Sequence, residues 1–265
     1  MKNHPILSHF LIPLLKSWET FFELPIPFLK VNSEALNAIY VPDSLIVRMV
    51  PFLGLILGII GYIFTLIIYL LLGKIIAAII CAIVLVLCWE LLTQGEETHN
   101  LIISLRNKLL VPPYKNSELV DNEKSSSEFI NFYIYACVYV IRIIALIFII
   151  YNFRFAWIII VPVLELTLQA YMASENDKEK SKNLFYVPEK EITIMWITAA
   201  IICLIFGCFY ILLTIIAILV SILITSKVKS LLKSKNNLTA MNIGITGKSM
   251  EILLLLIGLL FWIKF

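Results

Sequence analysis

The amino-acid sequence predicts an all-α fold, a polytopic membrane helix bundle of about seven spans with an N-terminal interfacial helical segment. Two observations carry this. Of 265 residues, 61% are apolar and 15% are charged, where soluble proteins run at about 45–50% and about 25%. The apolar residues are also gathered into runs of about twenty, the length a helix needs to cross a bilayer core. A water-soluble enzyme and a secreted disulfide scaffold are both excluded. Helices follow because an isolated spanning strand would leave its backbone polar groups unpaired in lipid. The net charge of +3 is too small to suggest a nucleic-acid binder, so the partner read from composition is the lipid bilayer. A homo-oligomer is compatible with these features, and the sequence does not select it.

Residues 1–48 read as a cytoplasmic or interfacial segment and 49–265 as the integral membrane domain. Pro5, Pro13, Pro25, Pro27 and Pro42 break the first segment, and no small-residue cleavage site marks it as a signal peptide. Phe10, Leu11, Leu14, Leu15 and Trp18 recur at helical spacing, which predicts a helix lying in the interface. The first two spans are Pro51–Leu72 and Ile75–Leu92, joined by a tight Gly73-Lys74 turn. Phe129–Tyr151 and Phe155–Ala173 follow, separated by Asn152-Phe153-Arg154. Glu191–Ser226 is too long for one span and folds back near Gly207 into two. Met250–Phe265 is the last and is short. The five cysteines, Cys81, Cys88, Cys137, Cys203 and Cys208, all fall in apolar runs, where small thiols pack as hydrophobes.

With seven spans, 17 of the 21 Lys and Arg residues fall on the side of the N-terminus. The opposite side has Lys74, Arg154 and Lys264, and Arg142 lies within a span. Positive residues stay inside, so an integral protein of the cytoplasmic membrane with its N-terminus in the cytoplasm is expected. Every loop long enough to build a site is then cytoplasmic.

Gly54, Gly58 and Gly61 share one face of the first span and predict close helix packing. Arg142 and Glu165 stand out as ionisable groups deep inside spans, where an unpaired charge is expensive. Counted from Phe153 they lie at nearly the same depth, which predicts an ion pair or hydrogen bond across that hairpin. In the loop after the second span, Glu96, Glu97 and His99, with Asp121 further on, offer ligands to a hard cation such as Mg²⁺. A solvated loop beside a membrane carries the same residue types. Ile245-Thr246-Gly247-Lys248-Ser249 has part of a phosphate loop, but Asn242 stands where that pattern needs Gly and no strand precedes it. A nucleotide-hydrolase P-loop is rejected, leaving a Gly-containing turn with a Lys beside a helix start, a place suited to a phosphate.

Three segments in order resemble the membrane cobalamin synthases, the adenosylcobinamide-GDP ribazoletransferases. Phe22-Glu23-Leu24-Pro25-Ile26-Pro27 resembles that family's opening Phe-x-x-Arg-Leu-Pro-x-Pro, with Glu23 at the Arg. Pro51-x-x-Gly54-x-x-x-Gly58 matches its first-span motif, and Gly244-Ile245-Thr246-Gly247 resembles its Gly-Gly-x-Thr-Gly-Asp signature before the last helix. There Ile243 replaces the first Gly and Lys248 the Asp. The family's acidic motif after the second span is degenerate here, with His99 and Ile103 at its two Asp positions and Glu96 and Glu97 as displaced acids. Arg142 corresponds to a basic residue of the family's third span, while Glu165 sits where another basic group is expected. The resemblance implies condensation of adenosylcobinamide-GDP with α-ribazole or its phosphate and release of GMP. That is a displacement at phosphorus, assisted by Mg²⁺ on Glu96, Glu97, His99 and Asp121. Thr246, Gly247, Lys248 and Arg142 would bind the corrinoid and nucleotide substrates. A family-derived binding or partner subunit without this chemistry is the alternative, ahead of a transporter supported by Arg142 and Glu165 alone.

Overall fold

The computed structural model of the chain describes residues 10–22, 40–93, 95–109, 120–175, 185–234 and 238–259, with side chains described outside 106–131. Nine α-helices make up nearly all of it: α1 (Ile12–Phe21), α2 (Asp43–Leu72), α3 (Lys74–Leu92), α4 (Glu96–Leu109), α5 (Val120–Tyr151), α6 (Trp157–Ala173), α7 (Glu189–Phe206), α8 (Ile211–Ser234) and α9 (Ala240–Leu259). The described strands, β1 (Ser174–Glu175) and β2 (Phe185–Tyr186), form a two-residue parallel pairing of Ser174 with Phe185 and Glu175 with Tyr186. The all-α membrane bundle expected from the sequence is the fold observed.

Among the described residues, five helical stretches are long and apolar enough to cross a membrane: α2, α3, Phe132–Tyr151 within α5, Cys208–Ser234 and α9. The other two expected spans are also helices. α6 has 17 residues and α7 opens on Glu189, Lys190 and Glu191.

α6 is the spine of the bundle. Fifteen of its 17 residues are buried, as expected for a helix apolar on all sides. α2 lies along it through its glycines. A Cβ on Gly54 would stand 2.6 Å from the Val163 Cα, and one on Gly58 would stand 2.6 Å from the Ile159 Cα. The two backbones therefore touch, which is the packing the small-residue spacing predicts. The outer face of α2 carries Ile60, Ile63, Ile67, Leu70 and Leu71, all exposed, a surface suited to lipid.

Three tight turns fall at one end of the bundle. Gly73 (φ 75) joins α2 to α3, Phe153 (φ 59) joins α5 to α6, and Gly207 with the 3-10 turn Cys208–Tyr210 joins α7 to α8. Phe153 keeps its left-handed backbone while its ring packs against Tyr69 and Phe155. The Lys74 ammonium lies 3.8 Å from the centre of the Tyr151 ring. Arg154 donates to the Gly258 carbonyl at the end of α9 at 2.5 Å. Aromatic and basic residues gathered at one level are what a membrane–water boundary favours.

Several boundaries differ from expectation. α2 begins at Asp43, about two turns before Pro51. α5 runs unbroken from Val120. The largest correction is α9, which begins at Ala240 instead of Met250. Thr246, Gly247 and Lys248 are therefore inside a helix, and the expected Gly-containing turn before Lys248 does not exist. α1 also differs from a helix lying free in the interface. Leu14 and Trp18 are buried against Val47 and Val50 of α2, and the Ser17 hydroxyl donates to the Ile46 carbonyl at 2.7 Å. Among its apolar residues, Phe10 and Leu11 at the start remain exposed.

Candidate functional site

At the end of the bundle opposite the tight turns, α3, α4, α5, α6 and α9 bring six ionisable side chains into one buried cluster. Arg142 of α5 is fully buried. Its Nε donates to Glu251 Oε1 at 2.9 Å and its Nη1 donates to Glu90 Oε1. Lys248, 1% exposed, donates to Glu251 Oε2 at 2.8 Å. The same ammonium lies 3.6 Å from Glu165 and 3.7 Å from both Glu90 and Glu97. Neutral donors complete the cluster: Thr98 donates to Glu90 at 2.8 Å, Tyr139 to Glu90 at 3.1 Å, and Gln169 to Glu97 at 2.9 Å. Charges taken out of water to this degree are tolerated only when paired and hydrogen-bonded.

The sequence places these groups by simple rules. Lys248 and Glu251 are three apart on α9, hence on one face. Gly244 and Gly247 let that face approach its neighbours. A Cβ on Gly244 would come within 3.2 Å of the Glu97 Cγ, and one on Gly247 within 2.3 Å of the Gln169 Nε2. Glu90 sits in the last turn of α3, within reach of Thr98 in the first turn of α4.

Arg142 and Glu165 do occupy the same cluster, but the expected contact between them is absent. Arg142 pairs with Glu90 and Glu251, and Glu165 faces Lys248. Equal depth fixes only one coordinate of a side chain, and the direction around each helix sends these two to different partners. Nor are they the sole ionisable groups inside spans, since Glu90, Lys248 and Glu251 are buried with them. The available signal was the pair of opposite charges at i, i+3 in Lys248–Glu251, which becomes visible only once α9 starts ten residues early.

Beside the cluster lies an open cavity of about 890 Å³. It is walled by the end of α1 (Glu19, Phe22), by Asp43, by the start of α4 (Glu96, Glu97, Asn100) and by the start of α9 (Ile243, Gly244). A second pocket of about 30 Å³ shares Phe22, Thr93, Glu97 and Gln169 with it and is also lined by Glu165 and Lys248. Glu97 thus stands between the two. Burial raises its carboxyl above the ordinary value of 4.5, against the pull of Lys248 and with the help of Glu251.

Of the sequence-predicted metal ligands, Glu96 is exposed and Glu97 half-buried. His99 turns away, its Nδ1 hydrogen-bonded to the Tyr135 hydroxyl. Glu96 and His99 are three apart and lie on the same side of α4, while Glu97 is turned about 100° from Glu96, towards Gln169. The side chain of Asp121 lies outside the described residues. Among the described residues no three His, Cys, Asp or Glu side chains converge to hold a metal, and the described part of the predicted set does not fit a resident Mg²⁺. Of the predicted substrate-binding residues, Thr246 donates to the Asn242 carbonyl at 2.7 Å and Gly247 packs on Gln169. Lys248 and Arg142 are enclosed by carboxylates. All five cysteines are free, with Cys81 and Cys203 buried and Cys88, Cys137 and Cys208 exposed.

Fold and cluster together define a polytopic all-α membrane protein with a polar heart reached from one end. No known protein family, curated protein or solved structure matches the chain.

Proposed function

We propose that the chain is a diverged cobalamin-synthase-like membrane protein that takes a corrinoid nucleotide into the 890 Å³ cavity, with that cavity facing the cytoplasm and the N-terminus on the same side. One observation carries the reading. Residues of the first and third segments that carry the resemblance, and of the degenerate acidic motif, distant in sequence, line this one opening: Phe22, Ile243 and Gly244, with Thr93, Glu96, Glu97 and Asn100. The first-span glycines hold α2 against α6 behind it. The basic residues gathered on the N-terminal side support the orientation.

A second reading, a membrane binding or partner subunit without transfer chemistry, is favoured by the neutralisation of Lys248 and Arg142. A phosphate stabilised in a transition state needs cations aimed at it, and these two are aimed at Glu251 and Glu90. The experiment separates the readings in two steps. The full-length protein is expressed in a cobalamin-synthase-deficient strain fed cobinamide and dimethylbenzimidazole, and the purified protein is tested for cobinamide-GDP binding by equilibrium dialysis. Growth rescue establishes ribazole transfer. Binding without rescue establishes the second reading, and neither result removes both.

A further inference from the structure

We infer that the small pocket between Glu97, Glu165 and Lys248 is a binding site for one unit of positive charge, a proton or a bare Na⁺, entered from the large cavity. The first ground is charge. Glu90, Glu97, Glu165 and Glu251 surround Arg142 and Lys248 within one buried network, so four carboxylates face two cations. An excess of negative charge is costly in a low-dielectric interior, and a bound cation relieves it.

The second ground is an unfilled set of acceptors. Glu165 is 8% exposed and lines the pocket. Among the described residues it has no hydrogen-bond donor, and Lys248 at 3.6 Å is beyond good hydrogen-bonding distance. Glu97 Oε2 is buried and likewise without a donor. Gln169 gives its NH₂ to Glu97, leaving its carbonyl oxygen as a further acceptor on the same wall. Lys248 spends its one short bond on Glu251.

Size and chemistry narrow the guest. About 30 Å³ is room for a water-sized occupant, so a Mg²⁺ that keeps several waters does not fit. The ammonium of Lys248 further disfavours a double charge. The remaining walls, Leu57, Trp89, Leu92, Pro162 and Leu166, are apolar and keep the field of the carboxylates unscreened. The charged groups facing Glu165 are Lys248 and Glu251 from α9, Glu97 from α4 and Arg142 from α5, with Glu90 of α3 reaching the same Lys248. α2 presents Leu57 here. Glu191 of α7 and Lys229 of α8 are engaged elsewhere, with Arg48 and with the Tyr171 and Ser174 carbonyls.

The test reads thermal unfolding of the full-length chain in detergent, with NaCl exchanged for N-methyl-glucamine chloride at constant ionic strength, at pH 8 and pH 5. For a Na⁺ site, the wild-type midpoint rises by several degrees with Na⁺ at pH 8, and Glu165→Gln abolishes the rise. For a proton site, the midpoint ignores Na⁺ and rises on going to pH 5, again with the response lost in Glu165→Gln. If that variant does not fold, Glu97→Gln at the mouth of the pocket is read the same way. No response to either ion in the wild type, or an unchanged response in the variant, overturns the inference. No corrinoid enters this assay, so its outcome is independent of the ribazole-transfer reading.

Discussion

Two seams hold this bundle together, and they work by opposite means. Between α2 and α6 the contact is backbone against backbone, glycine against Val163 and Ile159, with no charge at the seam. Between α9 and the helices α3, α4, α5 and α6 the contact is a network of four glutamates, an arginine and a lysine. Both seams use glycines for close approach, Gly54 and Gly58 in one, Gly244 and Gly247 in the other. What differs is what the approach delivers. In the first it delivers van der Waals contact between uncharged groups. In the second it delivers paired charges, where losing one member strands the rest.

The comparison is broken most severely by Glu251→Leu, which removes one of the two carboxylate acceptors of Arg142 and the acceptor of Lys248. A loss of about 3–5 kcal/mol is expected, read as a lower unfolding midpoint in detergent, and a stability close to wild type would mean the network is not buried as described. Thr98→Val keeps the shape but takes a donor from Glu90. It should cost about 1.5–3 kcal/mol, as for other hydrogen bonds to charged groups. In the dry seam, Gly58→Ala puts a methyl against the Ile159 backbone and should cost about 1–3 kcal/mol by overpacking, with a larger effect from Gly58→Val. An alanine variant as stable as wild type would show that α2 and α6 can part without penalty.

The smallest expected effect is a pH dependence. The Glu97 carboxyl holds its proton more tightly in the folded protein than its ordinary value of 4.5 implies. Its contribution to stability is therefore fully present below about that pH and is lost as pH rises through the raised value. Glu97→Gln should flatten that part of the stability–pH curve measured in detergent. A curve unchanged by the substitution would place the titration elsewhere.

The dry seam was legible in the sequence and the charged seam was not, for a physical reason. Gly54 and Gly58 announce themselves by spacing along one helix, and the turns at Gly73, Phe153 and Gly207 by interruptions of apolar runs. All of these are local. The cluster depends on Arg142 meeting Glu251 across 109 residues and on the azimuth of each helix, which depth along the chain does not fix. It also depends on α9 starting at Ala240. That stretch, with Asn242, Gly244 and Gly247, has weak helix propensity and reads as a loop. Tertiary contact with Glu97 and Gln169 makes it helical. The candidate cavity was half legible. Glu96 and Glu97, singled out in the sequence as candidate ligands, line it, while the loop geometry assumed for Thr246 to Lys248 gave way to helix and His99 turned to Tyr135.

The burial of α6 on every side bears on how the protein is made. A free α6 in lipid would hold Glu165 in hydrocarbon, a position an isolated helix avoids. α2, already synthesised, can shelter its apolar side at once. The ammonium that faces Glu165 arrives only with α9, the last described helix to leave the ribosome. Until then the half-built bundle carries acids and Arg142 without their final partners. The pairing of those groups is thus complete only once α9 has joined the bundle. A chain ended before Ala240 should be cleared by membrane proteases far faster than the full-length protein, measurable by pulse–chase, and an equal lifetime would remove α9 from that role.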